Sequence, residues 1–190
     1  MRDLVERPRG TPPAPPSFSG LEPALRAIAA AREATALADE PSAELLEQVD
    51  RAIEVHRKNR AVLEQALAPI PAAGTVVYLG LLLKAYPNAG SQDAGVFGQF
   101  LRDDVMSLDP SFGAVEMACR RWRQKSRFLP AIAEMMVEVR AARDELAGVA
   151  EFVDRLPAIR NAIAAKLDRA GTPALRGKPD MRPNVRDIAL

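Results

Sequence analysis

From Ile132 to Leu156 apolar residues return at alternating intervals of three and four: Ile132, Met135, Val139, Ala142, Leu146, Val149, Val153 and Leu156. That spacing draws one stripe along a helix and repeats it over more than three heptads, as a coiled-coil seam does. A stripe this long needs an apolar partner. Either a helix over 43–68 covers it within the chain as an antiparallel neighbour, or a second copy covers it and makes a homodimer. The length of the chain favours the internal solution. Pro157 is expected to kink or break the helix, because proline removes a backbone donor and its ring crowds the preceding turn. Ile159, Ile163 and Leu167 then carry the stripe on to Ala170, where Gly171 and Pro173 end it.

The remaining segments are helical by the same logic. Ala, Leu, Arg and Glu dominate the chain, and all are good helix formers. The nearest approach to strand character, Thr75-Val76-Val77-Tyr78, runs straight on into Leu79-Gly80-Leu81-Leu82-Leu83-Lys84 and reads as a buried helix. The expected fold class is all-α: a small helical bundle with a long heptad-patterned C-terminal helix and disordered termini.

In chain order, residues 1–19 form a Pro-rich leader holding Pro8, Pro12, Pro13, Pro15 and Pro16. Residues 20–70 form a helical hairpin. Its first helix runs from Leu21 to about Ala38 with Ser19 as N-cap. Its second spans 43–68 behind Ser42, with Leu46, Val49, Ile53, His56, Arg60, Leu63 and Leu67 as its stripe. Pro69, Pro71 and Gly74 mark a linker. Residues 75–170 form the core domain, with helices over about 75–85 and 92–108, then one that Asp109-Pro110-Ser111 restarts and that ends near Ser126, before the long one, which Pro130 opens from a first-turn position. Residues 171–190 are a flexible basic tail.

Net charge is +1, which leaves no global electrostatic case for nucleic acid, so a basic surface has to be local. One cysteine, Cys119, excludes an internal disulfide and a cysteine-based zinc cluster within the monomer. No apolar run nears the ~20 residues of a membrane span, and Pro8 to Pro16 occupy the place of a secretory apolar core, so a cytoplasmic protein is expected. His56 is the lone histidine and falls on a packing stripe. Asp103 and Asp104 point about 100° apart on a helix. Gly90, Gly95 and Gly98 lack the lysine and the preceding strand of a phosphate loop. These features give no catalytic residues, no metal ligands and no cofactor, and the expectation is a non-enzyme. The strongest local charge is Arg120, Arg121, Arg123, Lys125 and Arg127. It is a candidate surface for nucleic acid or an acidic partner, with Val115, Ala118, Cys119 and Trp122 turned to the other side.

One resemblance adds to this reading. It is carried by Leu83-Lys84-Ala85-Tyr86-Pro87-Asn88, by Leu101-Arg102-Asp103-Asp104-Val105, by Ala114, Ala118 and Trp122, and by Ser126-Arg127-Phe128-Leu129-Pro130-Ala131-Ile132-Ala133-Glu134. In order and spacing, residues 75–139 resemble the phage helicase loader and loader-inhibitor family, which tends to place a phenylalanine and prolines before an Ile-Ala-Glu helix start. The resemblance implies a non-catalytic phage or prophage replication accessory protein that binds the replicative hexameric helicase and controls its loading. It also implies that the tail, with Arg176, Lys178, Arg182 and Arg186, contacts that partner. Two departures accompany it: some 70 residues precede the matching stretch, and a long helix rather than an immediate tail follows. A small DNA-binding regulator using the Arg-rich helix and a coiled-coil assembly protein are the alternatives.

Overall fold

A computed structural model describes residues 15–86 and 94–171. After a 3-10 turn at Ser19–Leu21 come six helices: α1 (Glu22–Leu37), α2 (Ala43–Leu67), α3 (Ala72–Lys84), α4 (Ala94–Met106), α5 (Phe112–Lys125) and α6 (Ile132–Gly171). Among the described residues there is no strand, and the fold is all-α.

The seam on α6 is the spine. Met135, Val139, Ala142, Leu146, Val149, Val153 and Leu156 are all buried within the single chain. α2 runs antiparallel to it: Asp50, near the start of α2, meets Arg160 at 2.5 Å, while the far end of α2 lies beside Leu146. There α2, α5 and α6 come together over Gly113. A Cβ on that residue would stand 2.9 Å from the Cβ of Ala66, 3.0 Å from its carbonyl oxygen and 3.0 Å from Leu146 Cδ1, so only glycine permits this approach.

Two apolar clusters sit along the spine. One joins Phe18, Leu21, Leu25 and Ile28 to Leu45, Val49, Leu63, Met117, Leu146, Phe152 and Leu156. The other joins Tyr78, Leu79 and Leu82 of α3 to Leu101 and Val105 of α4, Val115 and Trp122 of α5, and Met135 and Val139 of α6. α5 and α6 contribute to both, so neither cluster is closed without them.

Several expectations are corrected. Ser19 does not cap α1: Leu21 holds the N-cap position without a side-chain bond, and the Ser19 hydroxyl instead pairs with Ser17 Oγ at 3.2 Å. Phe18, at the end of the Pro-rich stretch, is only 1% exposed and belongs to the core, because a 3-10 turn closed by Leu21 N to Phe18 O (2.9 Å) folds it inward. Residues 1–14 lie outside the described residues. Between α2 and α3 only Ala68–Pro71 intervene, and they are tied down rather than loose. Ile70 N donates to Pro110 O (3.1 Å), Phe112 N donates to Ala68 O (3.0 Å), and Ile70 is buried. Gly74 lies inside α3. The inward face of α2 keeps Val49 and Leu63 of the stripe read off the sequence, but Leu45, Ala52 and Ala66 join them innermost while Leu46, Ile53 and Leu67 lie at the margin. Arg60 points outward and pairs with Glu64 at 2.7 Å.

At α6, Pro130 is two residues ahead of the first helical position. The start is instead fastened by Glu134, whose Oε2 accepts from Ala131 N at 2.7 Å, one half of a capping box. Pro157 does not end the helix, which is continuous from Ile132 to Gly171. Pro157 faces solvent, while buried Leu156 and Ile163 hold the helix to the core on either side.

Candidate partner-binding surface

The serine at the head of α5 is a true cap: Ser111 Oγ accepts from Ala114 N at 3.2 Å. The residue before the Pro110-Ser111 restart, Asp109, takes φ 47°, which a short carboxylate side chain tolerates better than most. With its start fixed, α5 turns Val115, Ala118, Cys119 and Trp122 into the second cluster. Burial pushes the Cys119 thiol up to about 12, so it behaves as a small apolar group.

The Arg-rich run spans α5 and the turn after it, and most of its charge is answered from within the chain. Arg120 lies between Glu22 of α1 (2.5 Å) and Glu116 (3.2 Å). Arg121 meets Glu145 of α6 at 2.7 Å, and Lys125 pairs with Glu138 while lying 4.6 Å from the centre of the Trp122 ring. Arg123 and Arg127 are exposed, and among the described residues neither pairs with a carboxylate. Glu116 is 6% exposed, and its Oε2 and Arg120 Nη2 are buried without a partner. The Arg120 guanidinium, helped by Arg26 and Arg121, holds the Glu22 carboxyl below its ordinary range. The five cations named from sequence therefore divide: three brace α5 against α1 and α6, and two face water.

The turn between α5 and α6 behaves differently. Ser126 Oγ accepts from Phe128 N (3.1 Å) and donates to Phe128 O (3.1 Å), and Trp122 Nε1 donates to that same carbonyl (2.8 Å). Tyr86 OH donates to Ser126 O at 3.1 Å. Pro130 is buried and Leu129 partly so. The backbone of Phe128 is thus fastened on both sides, yet the residue is 76% exposed. Beside it runs a shallow cleft of about 370 Å³ lined by Trp122, Lys125, Ser126, Glu134, Val137 and Glu138, with Val137 exposed. A second apolar surface lies on the α3–α4 pair, where Val76, Val77 and Leu81 of α3 and Val96 and Phe100 of α4 are exposed.

Sequence reasoning named Phe128 as a motif residue but gave no sign that its ring stands in solvent, since the fastening bonds come from Trp122 and Tyr86 through tertiary structure. His56 is half-buried on α2 beside Ile53. Among the described residues, no three of His, Cys, Asp and Glu are grouped to hold a metal ion. None of the helices described is long and apolar enough to cross a membrane. The tail cations Arg176, Lys178, Arg182 and Arg186 lie outside the described residues. Comparison with protein-family models, curated proteins and solved structures returns no match for this chain.

Proposed function

We propose that the chain is a non-enzymatic phage or prophage replication accessory protein that binds the replicative hexameric helicase of its host and controls its loading. The observation that carries this reading is Phe128: an aromatic side chain held out into water by a turn whose backbone is fastened at both ends. Large aromatics presented on ordered backbone are what binding hot spots are made of, because little conformational freedom is left to lose on association. Phe128 also lies within the segment through Glu134 that carries the resemblance to the loader family. The cleft beside it, walled by Trp122 and Val137, offers a matching recess.

Direct DNA binding by the Arg-rich helix is the weaker reading. Arg120, Arg121 and Lys125 already have carboxylate partners, and using them on phosphates would break contacts that join α5 to α1 and α6. Assembly through the α6 seam is weaker too, because Val139, Leu146 and Val153 are covered within the chain.

The test is size-exclusion chromatography with light scattering, on the protein alone and mixed with the host's hexameric helicase and ATP. A complex is expected, and Phe128→Ser should lower its affinity by about 30-fold, the mark of a hot spot. The stability of that variant should stay within about 0.5 kcal/mol of the parent. No complex under any nucleotide condition sinks the reading. A complex indifferent to Phe128→Ser moves the contact elsewhere, with truncation after Gly171 as the next variant.

A further inference from the structure

At the end of the molecule opposite α3 and α4, the connection between α1 and α2 meets the last turns of α6. A groove of about 200 Å³ opens there, floored by Ala38, Pro41, Leu45, Ile159, Ala162 and Ile163. Asp39 and Glu40 stand on one rim and Lys166 on the other. Glu44 follows within the first turn of α2, so three carboxylates fall in six residues with no cation among them. All three are exposed, and among the described residues none is in an ion pair. This contrasts with α5, where carboxylates answer most of the cations. At the near edge Leu37 is 73% exposed. The groove asks for an occupant with apolar side chains interspersed with positive charge.

The chain supplies such a segment next to the groove. Lys166 lines it, and α6 ends five residues later at Gly171. Residues 172–190 follow, with Leu175, Met181 and Val185 set among Arg176, Lys178, Arg182 and Arg186. Five helical residues carry the chain only about 7.5 Å past Lys166. The four residue steps from Gly171 to Leu175 span up to about 14 Å when extended, enough to turn back to the groove. We propose that the groove between the α1–α2 connection and the end of α6 is the docking site of this chain's own segment 172–190, with Leu175 on its apolar floor and Arg176 against Asp39 and Glu40. Attachment through α6 makes the contact intramolecular, so even a weak interaction is populated. The inference rests on the groove and its charges, not on the helicase reading.

Limited trypsin digestion of the full chain tests it, read by intact mass. Lys178 and Arg182 each precede proline and resist the protease, leaving Arg176 and Arg186 as the cuts to follow in this segment. Docking should slow the cut after Arg176 by about tenfold relative to Asp39→Asn/Glu40→Gln, as an intramolecular contact of modest strength would. That double variant adds no tryptic site and changes only exposed side chains. Leu175→Ser should release the segment likewise, and salt at about 0.5 M should do so in the parent by screening the rim. Equal rates in the parent and both variants would overturn the proposal. So would protection that grows with protein concentration, because the occupant would then be a second copy.

Discussion

Arg120 brings together two carboxylates from different helices, one of them almost wholly removed from water. Replacing it with methionine would leave the Glu116 charge buried and unanswered. That change should cost about 3 kcal/mol in urea unfolding, against much less for Glu116→Gln, which removes the charge together with its need for a partner. Glu22 is the more exposed member of the group, and its effect is read by pH. Its carboxyl is held low in the folded chain, so the stability it contributes is present above the unfolded value of 4.5 and is lost as pH falls through the lower folded one. The gap in urea midpoint between the parent and Glu22→Gln should be open at neutral pH and close on acidification below the carboxylate range; a gap independent of pH would place the effect in packing. The side to which Trp122 turns could be read from the helical period of α5. The ion-pair partners of Arg120 and Arg121 could not, because Glu22 and Glu145 come near them only when α1 and α6 pack. Phe18 was hidden for a different reason: prolines on its N-terminal side mask a single apolar residue that the following 3-10 turn folds inward.

Among the elements, α6 was the most legible, because its three-four alternation is strict and every member of the seam from Met135 to Leu156 is buried. α2 was less so. Val49 and Leu63 lie on both the sequence stripe and the core face, but only the positions of α1 and α6 decide that Leu45, Ala52 and Ala66 go inward ahead of Leu46, Ile53 and Leu67. Pro157 illustrates a local rule overruled by tertiary packing. The missing donor weakens the helix at that point without ending it, since Val153, Leu156 and Ile163 are buried on both sides of the defect. Pro157→Ala should therefore stabilise the chain, by up to about 3 kcal/mol if the full helix-interior penalty is recovered. Thermal unfolding checks this, and an unchanged midpoint would mean that proline's stiffening of the unfolded chain offsets the loss.

For the whole molecule, the sharing of α5 and α6 between the two clusters means that damage to the spine should not stay local. Leu146 is 1% exposed at the meeting of α2, α5 and α6. Leu146→Asp buries an unpaired carboxylate there and should cost more than about 4 kcal/mol. The expected outcome is loss of helical circular dichroism, not a folded monomer released from an assembly. The length of α6 also bears on how the protein moves through solution. Its 40 residues make a rod of about 60 Å. A compact sphere of 190 residues, with a radius of gyration near 16 Å, would be only about 42 Å across. The particle must therefore be elongated, with more friction than its mass implies. On a column calibrated with globular standards a monomer will elute early, at the place of something heavier, and sedimentation will be correspondingly slow. Scattered light, which weighs particles without regard to their drag, will return the mass of one chain.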